Sequence, residues 1–217
     1  CWLVDFQVIH GDPSKRGPGS VWEALAALRD KAYPHAGGQT LRSWAMGVDS
    51  GYLSQDVYDF CRRYAHRHVI ATKGDDGKAG KPVLSRPSWV DVNHRGEKIK
   101  RGVQLWFIGT DTSKERLYRR LDLEEHGPGY QHFPRGLPDE YFDQLTSEKL
   151  VRRPAKGGEK REWIKTRERN EALDLKVGCY AAAIYAGLQR INWSALGRLV
   201  NPGQRDIFAE QKSGADA

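Results

Sequence analysis

The chain has 217 residues, with 35 Lys and Arg against 28 Asp and Glu, for a formal charge of +7. That length suffices for one domain with a sizeable core, and the basic balance favours an anionic partner such as nucleic acid without demanding one. No apolar run approaches membrane-spanning length, and Cys1, Cys61 and Cys179 lack metal-type spacing, so the expectation is a soluble, reduced, cytoplasmic protein rather than a membrane, disulfide-framework or zinc-finger protein.

In chain order, Trp2, Val4, Phe6 and Val8 alternate with polar or smaller neighbours and predict a strand, which ends at a Gly11-Asp12-Pro13 turn. The sequence starts at Cys1 within this pattern, so a preceding segment is expected. A polar stretch to Gly19 leads into a helix predicted over 21–31, with Val21, Leu25 and Leu28 inward. Leu41 to Val48 reads as a short buried strand closed by Asp49, Ser50 and Gly51; Gln55 to Tyr64 follows as a helix with Val57, Phe60, Cys61 and Tyr64 on one face. His68 to Thr72 is a further strand, and Lys73 to Pro82 is a glycine and lysine loop. Val103 to Ile108 is another strand, then Gly109 to Thr112 turns into a helix reaching Leu121, with Asp111 expected as its N-cap. A Gly/Pro/aromatic run covers 127–138, and a short helix is expected over Asp139 to Leu145. A basic stretch covers 151–165, and a helix is expected from Asn170 to Leu188 with Leu173, Val177, Tyr180, Ile184 and Leu188 as its buried stripe. Cys61 and Cys179 fall inside apolar helical patterns and are expected to pack as small core residues. Strands alternating with helices indicate an α/β domain with parallel pairings. The domain is expected over 1–200, with a flexible tail at 201–217.

Asp49 closes a buried strand, at the carboxyl edge where open α/β sheets place their ligands. Alternatively it caps the helix that starts near Ser54. Glu171 and Asp174 share a face in the first turn of the last predicted helix. They either complement its dipole or bind a cation, and Gly178, one turn on, leaves Asp174 uncrowded. Two or three carboxylates held together are costly unless a divalent cation neutralises them. Asp49 and Asp174, distant in sequence and each at the end of an element, suit Mg²⁺ or Mn²⁺, which take oxygen ligands and use phosphate to complete their shell. Arg152, Arg153, Lys156, Lys160, Arg161, Lys165, Arg167 and Arg169 lead into that helix. By itself such a run is a solvated face; next to carboxylates it becomes a candidate surface for a DNA backbone. Gly74 to Lys81 departs from a phosphate-loop motif, because its second glycine and lysine are displaced and Pro82 replaces the hydroxyl residue. No nucleophile motif is present, and His132 reads as a packed loop residue.

Taken as an ordered set, several segments resemble the C-terminal nuclease domain of the lambda gpA-like large terminase subunits of tailed bacteriophages and prophages. They are Trp2 to Asp12, Val48 to Gly51, Gln55 to Arg62, Phe107 to Leu121, Gly127-Pro-Gly-Tyr-Gln-His-Phe-Pro134 and Arg169 to Asp174. The resemblance covers about Trp2 to Gly187. It implies an RNase H-like mixed sheet flanked by helices. It also implies a metal-dependent endonuclease, with a two-metal Mg²⁺ or Mn²⁺ site expected in the intact domain, that cuts concatemeric double-stranded DNA with metal-activated water. Its implied partners are viral DNA, a terminase small subunit and a portal or procapsid, in the cytoplasm of a bacterial host. By motif, Asp49 and Asp174 match two of the family's catalytic acids, with Glu171 as an auxiliary group. The family's first-strand Asp would fall before Cys1, so the sheet is expected to lack its first strand, and Asp5 is not a substitute. The rival reading is a DNA-binding or assembly module of the packaging machine, without cleavage for want of that Asp. The separation of Asp49 and Asp174 discriminates the two.

Overall fold

The computed structural model describes residues 1–75, 80–94, 96–155, 158–193 and 195–196. The expected tail at 201–217, Lys156 and the middle of the glycine and lysine loop lie outside them.

Ser20 starts the first helix, α1 (Val21–Asp30): its hydroxyl accepts the Glu23 N–H at 3.3 Å, while the Glu23 carboxylate takes the Gly19 N–H at 2.6 Å. This reciprocal arrangement follows from the Ser-x-x-Glu spelling. A two-stranded ribbon, β1 (Ala32–Pro34) with β2 (Thr40–Arg42), precedes the central sheet. The sheet contains β3 (Met46–Asp49), β4 (Val69–Gly74), β5 (Ser88–His94) and β6 (Glu97–Ile108), in the spatial order β3-β4-β6-β5. The β3–β4 and β4–β6 pairs are parallel, and β5–β6 is an antiparallel hairpin with a bulge between Val90 and Val92. The fold is therefore α/β with a mixed sheet.

Strand alternation assigns the two faces. Met46, Val48, Val69, Ala71, Val103 and Leu105 point to one side, where α2 (Ser54–Arg63) supplies Val57, Phe60 and Cys61, and α1 supplies Trp22, Leu25 and Ala26. The opposite side is covered by α3 (Thr110–Leu121), α4 (Asp139–Leu145) and α5 (Glu171–Tyr185). Ile108, Leu117, Tyr141, Leu145, Leu173 and Val177 form a second core there. A second hairpin, β7 (Glu148–Ala155) with β8 (Gly158–Lys165), carries Arg152, Arg153, Lys160, Arg161 and Lys165 of the basic stretch. Asp59, only 1% exposed, binds α2 to its surroundings through Arg16 at 2.8 Å and His94 at 2.6 Å, and pairs within the helix with Arg63 at 3.4 Å.

Four expectations change. Among the described residues, the strand predicted from Trp2 forms one bridge, to His132, and Val4 and Val8 are 64% and 57% exposed. With no neighbouring strand among those residues to complete a ladder, the segment is an extended arm, pinned where Leu3 and Phe6 reach the second core. Asp5 anchors it by accepting from Lys31 at 2.7 Å and Tyr33 at 3.0 Å, which leaves no catalytic role to assign it. Leu41 to Val48 is two strands, because the chain leaves the ribbon before entering the sheet. Asp111 lies inside the first turn of α3, and Gly109 is the N-cap. Cys61 is fully buried as expected, but Cys179 faces out from α5.

Candidate active site

Gly47 and Asp49 are two residues apart on β3 and so share the face that α5 covers. The Cβ that Gly47 lacks would come within 3.9 Å of the Gly178 carbonyl oxygen, so helix and strand meet closely here. Further along, Tyr185 packs edge-on against Trp106 at 5.3 Å and against His68 at 6.1 Å. The helix thus runs antiparallel to the parallel strands, with its first turn at their carboxyl edge. Four helical residues rise about 6 Å, and two strand residues rise about 6.6 Å. Seating Gly178 on Gly47 directs Asp174, one turn earlier in the helix, toward the edge that Asp49 closes. Asp49 makes the smallest of the contributions that raise the Asp174 carboxyl.

Asp49 is exposed, and no hydrogen bond or ion pair engages it among the described residues. It does not cap α2, whose N-cap is Leu53 in a left-handed conformation with no side-chain cap. The turn below it is fixed by Ser50, which is fully buried and donates through both N–H and Oγ to the Thr72 carbonyl at 2.8 Å. Ser54 Oγ then donates to the Ser50 carbonyl at 2.7 Å. These bonds hold the strand end rigid and leave the Asp49 carboxylate at the rim.

Asp174 sits among four charged neighbours from four elements. Lost hydration pushes its carboxyl above the ordinary aspartate range. Lys114 of α3 opposes the shift, Glu148 of β7 adds to it, Lys165 of β8 opposes it and Asp49 adds to it. Asn170 donates to Asp174 Oδ2 at 3.0 Å and to Glu148 Oε1 at 3.1 Å, while Lys165 Nζ donates to Asn170 Oδ1 at 2.9 Å. Lys114 and Glu148 form a buried ion pair at 2.7 Å. Lys114, Glu148 and Asn170 were not singled out from the sequence. Glu148 and Lys114 belong to segments whose spacing carries no motif, and only the packing of β7 and α3 against α5 brings them together. Asn170 immediately precedes the acidic pair, which was the one available signal.

Two repelling carboxylates, one of raised proton affinity, are a setting that favours an oxygen-preferring divalent ion. No group of three or more His, Cys, Asp or Glu among the described residues could hold a metal by itself. Asp49 and Asp174 thus fit an ion that takes one or two carboxylates and leaves its other positions to water and phosphate. The space beside Gly178 is open, with nothing within 4 Å of where a Cβ would stand.

The remaining named residues divide. Glu171 begins α5 and pairs with Arg169 at 3.3 Å. Arg169 also pairs with Glu140, Arg161 pairs with Glu115, and Arg167 pairs with Asp143 at 2.8 Å. Arg152 and Lys160 make only loose contacts within the hairpin, at 3.9 Å to Glu159 and 3.8 Å to Glu162. In the ladder, Arg152 faces Arg161 and Arg153 faces Lys160. Like charges placed directly opposite destabilise a ribbon, and an anionic partner would relieve them. His132 stacks on Trp2 at 3.8 Å, in keeping with a packing role.

A family model described as terminase large subunit gpA, endonuclease domain, matches residues 1–193. The large terminase subunit of Escherichia phage lambda is 35% identical over 192 residues, covering 83% of this chain and 28% of that protein. The large terminase subunit of Enterobacteria phage P21 is 30% identical over 194 residues, covering 84% of the chain and 28% of the relative. The chain therefore spans little more than a quarter of the length of these relatives. No solved structure matches it.

Proposed function

The chain belongs to the endonuclease-domain family of gpA terminase large subunits, and from that premise we propose that it is a metal-dependent DNA endonuclease domain with an RNase H-like fold. What supports this reading is the packing of α5 on β3, with Gly178 against Gly47, together with the contribution of Asp49 to the raised Asp174 carboxyl. Asp49 and Asp174 would hold Mg²⁺ or Mn²⁺. Such ions activate water and stabilise the leaving oxygen in phosphodiester hydrolysis. The rigid Ser50 turn fixes one carboxylate and the first turn of α5 fixes the other, so the scissile phosphate is oriented between them. Glu171, with Arg169, stands beside this rim as an auxiliary group. Arg152, Arg153 and Lys160 hold the DNA backbone through their exposed charges, Lys165 does so from the edge of the site, and Arg161, Arg167 and Arg169 contribute to the same positive surface while paired. The substrate is double-stranded viral DNA, cut for packaging in the host cytoplasm, with a terminase small subunit and a portal or procapsid as partners. No helix among the described residues is long and apolar enough to cross a membrane.

A second reading, a DNA-binding or assembly module without cleavage, draws support from Glu148. Its pairing with Lys114 leaves two carboxylates rather than three facing a cation. Incubating the protein with linear and supercoiled duplex DNA and Mg²⁺ or Mn²⁺ separates the two. The nuclease reading expects cleavage that falls to background in Asp49→Ala and in Asp174→Ala while DNA binding persists. Full cleavage by either variant would remove it.

A further inference from the structure

We propose that Asn170 is a positioning residue, oriented by Lys165 and by the buried Lys114–Glu148 pair, that presets the Asp174 carboxylate for a divalent cation; this rests on the metal-dependent reading above. Asn170 is the N-cap residue of α5, yet its side chain makes no capping hydrogen bond. It joins three elements instead. Its amide nitrogen donates to Glu148 Oε1 at 3.1 Å and Asp174 Oδ2 at 3.0 Å, and its oxygen accepts from Lys165 at 2.9 Å. A lysine ammonium only donates and a carboxylate only accepts. Flipping the amide would therefore set its oxygen against two carboxylates and its nitrogen against an ammonium, so one orientation is specified.

Glu148 is saturated in the same way, with Oε2 taken by Lys114 at 2.7 Å and Oε1 by Asn170. Both partners of that ion pair are nearly buried, with side-chain exposures of 10% and 4%. Burying two charges rarely gains stability over apolar packing, which leaves their placement beside Asp174 as the feature to be explained. The outcome is that Asp174 Oδ2 is fixed, and Oδ1 carries no hydrogen bond among the described residues. Hydrogen bonds of this kind set the direction of a ligating carboxylate, and removing them weakens metal binding by roughly 10–100-fold.

The test is Mn²⁺ binding by the protein, followed by calorimetry and by loss of the free-ion paramagnetic resonance signal. Thermal unfolding of each variant without metal accompanies it. Asn170→Ala is expected to weaken Mn²⁺ binding by the folded protein at least about tenfold; the unfolding temperature falls as well, because the buried Glu148 Oε1 loses its donor, so the affinity is the deciding readout. Glu148→Gln leaves a single oxygen for two donors, Lys114 and Asn170, and is expected to weaken Mn²⁺ binding as well, together with a lower unfolding temperature because the buried lysine loses its carboxylate. A purely structural role would lower the unfolding temperature and leave the folded protein's Mn²⁺ affinity unchanged. Wild-type affinity in both variants, alongside loss of binding in Asp174→Ala, would overturn the positioning role while sparing the metal site. Absence of Mn²⁺ binding by the wild-type protein would overturn both.

Discussion

Asp174 shows how a carboxylate of raised proton affinity burdens its fold. Its folded-state pKa is raised by lost hydration and by Glu148 and Asp49, against the pull of Lys114 and Lys165. Below the ordinary aspartate value of 3.8, the group is protonated whether the chain is folded or not, and it imposes no penalty. As pH rises through that value toward the raised one, the unfolded chain releases its proton first, and the folded state loses stability that is not regained at higher pH. Asp174→Asn is therefore expected to unfold at a higher temperature than wild type at pH 7, with the difference disappearing near pH 3. Thermal unfolding at the two pH values without metal measures this, and added Mg²⁺ should raise the wild-type midpoint but not that of the variant. The sequence made Asp174 and Asp49 visible because each ends or begins a periodic element. It hid Glu148, because a glutamate opening a basic, hydrophobic-poor stretch carries no sign of burial.

Among the elements, α2 and α5 were legible in outline because each has a continuous apolar stripe. Phe60 is 1% exposed and packs between Trp22 and Tyr64, with ring centroids at 5.4 and 4.8 Å. Phe60→Ala is expected to cost about 3–5 kcal/mol, read from denaturant unfolding. The α5–β3 contact sets up an asymmetric pair of substitutions. Gly178→Ala meets no neighbour and replaces a poor helix former, so it should stabilise by about 1 kcal/mol. Gly47→Val would push toward the Gly178 carbonyl and Thr72. It should cost about 1–3 kcal/mol, and it should weaken Mn²⁺ binding by separating the carboxylates. Equal effects of the two substitutions on Mn²⁺ affinity would contradict the seating of helix on strand. Only Val103 to Ile108 of β6 was legible in the sequence; its hairpin with β5 and the β7–β8 hairpin were not, for different reasons. A bulge between Val90 and Val92 breaks the alternation of the first, and dense positive charge masks the alternation of the second.

At the scale of the whole molecule, the formal charge is +7, and the β7–β8 hairpin brings a row of Lys and Arg toward the acidic rim. The structure separates cations already bound to a carboxylate on another element, such as Arg161 with Glu115, from those that are not. Neutralising Arg152, Arg153 and Lys160 together should flatten the salt dependence of duplex DNA binding by about 0.9 log unit per lost phosphate contact. Arg161→Ala should change it less. Fluorescence anisotropy across a salt series decides the matter, and equal effects at all four positions would remove the distinction. The amino-terminal arm shows the same division between pattern and partner. Its alternation is strand-like, yet a strand exists only where a neighbour accepts its ladder, and among the described residues only His132 does.

The α/β class, the helices and the two aspartates at element ends followed from local spacing, because apolar periodicity and turn residues act over a few neighbours. The opposition of Asp49 and Asp174, the Lys114–Glu148–Asn170 network and the division of the arginines into engaged and exposed sets arose only on folding. Those features depend on which elements touch, and contact between residues more than 100 positions apart is set by how two glycines, a sheet face and a helix pack, which no local pattern encodes.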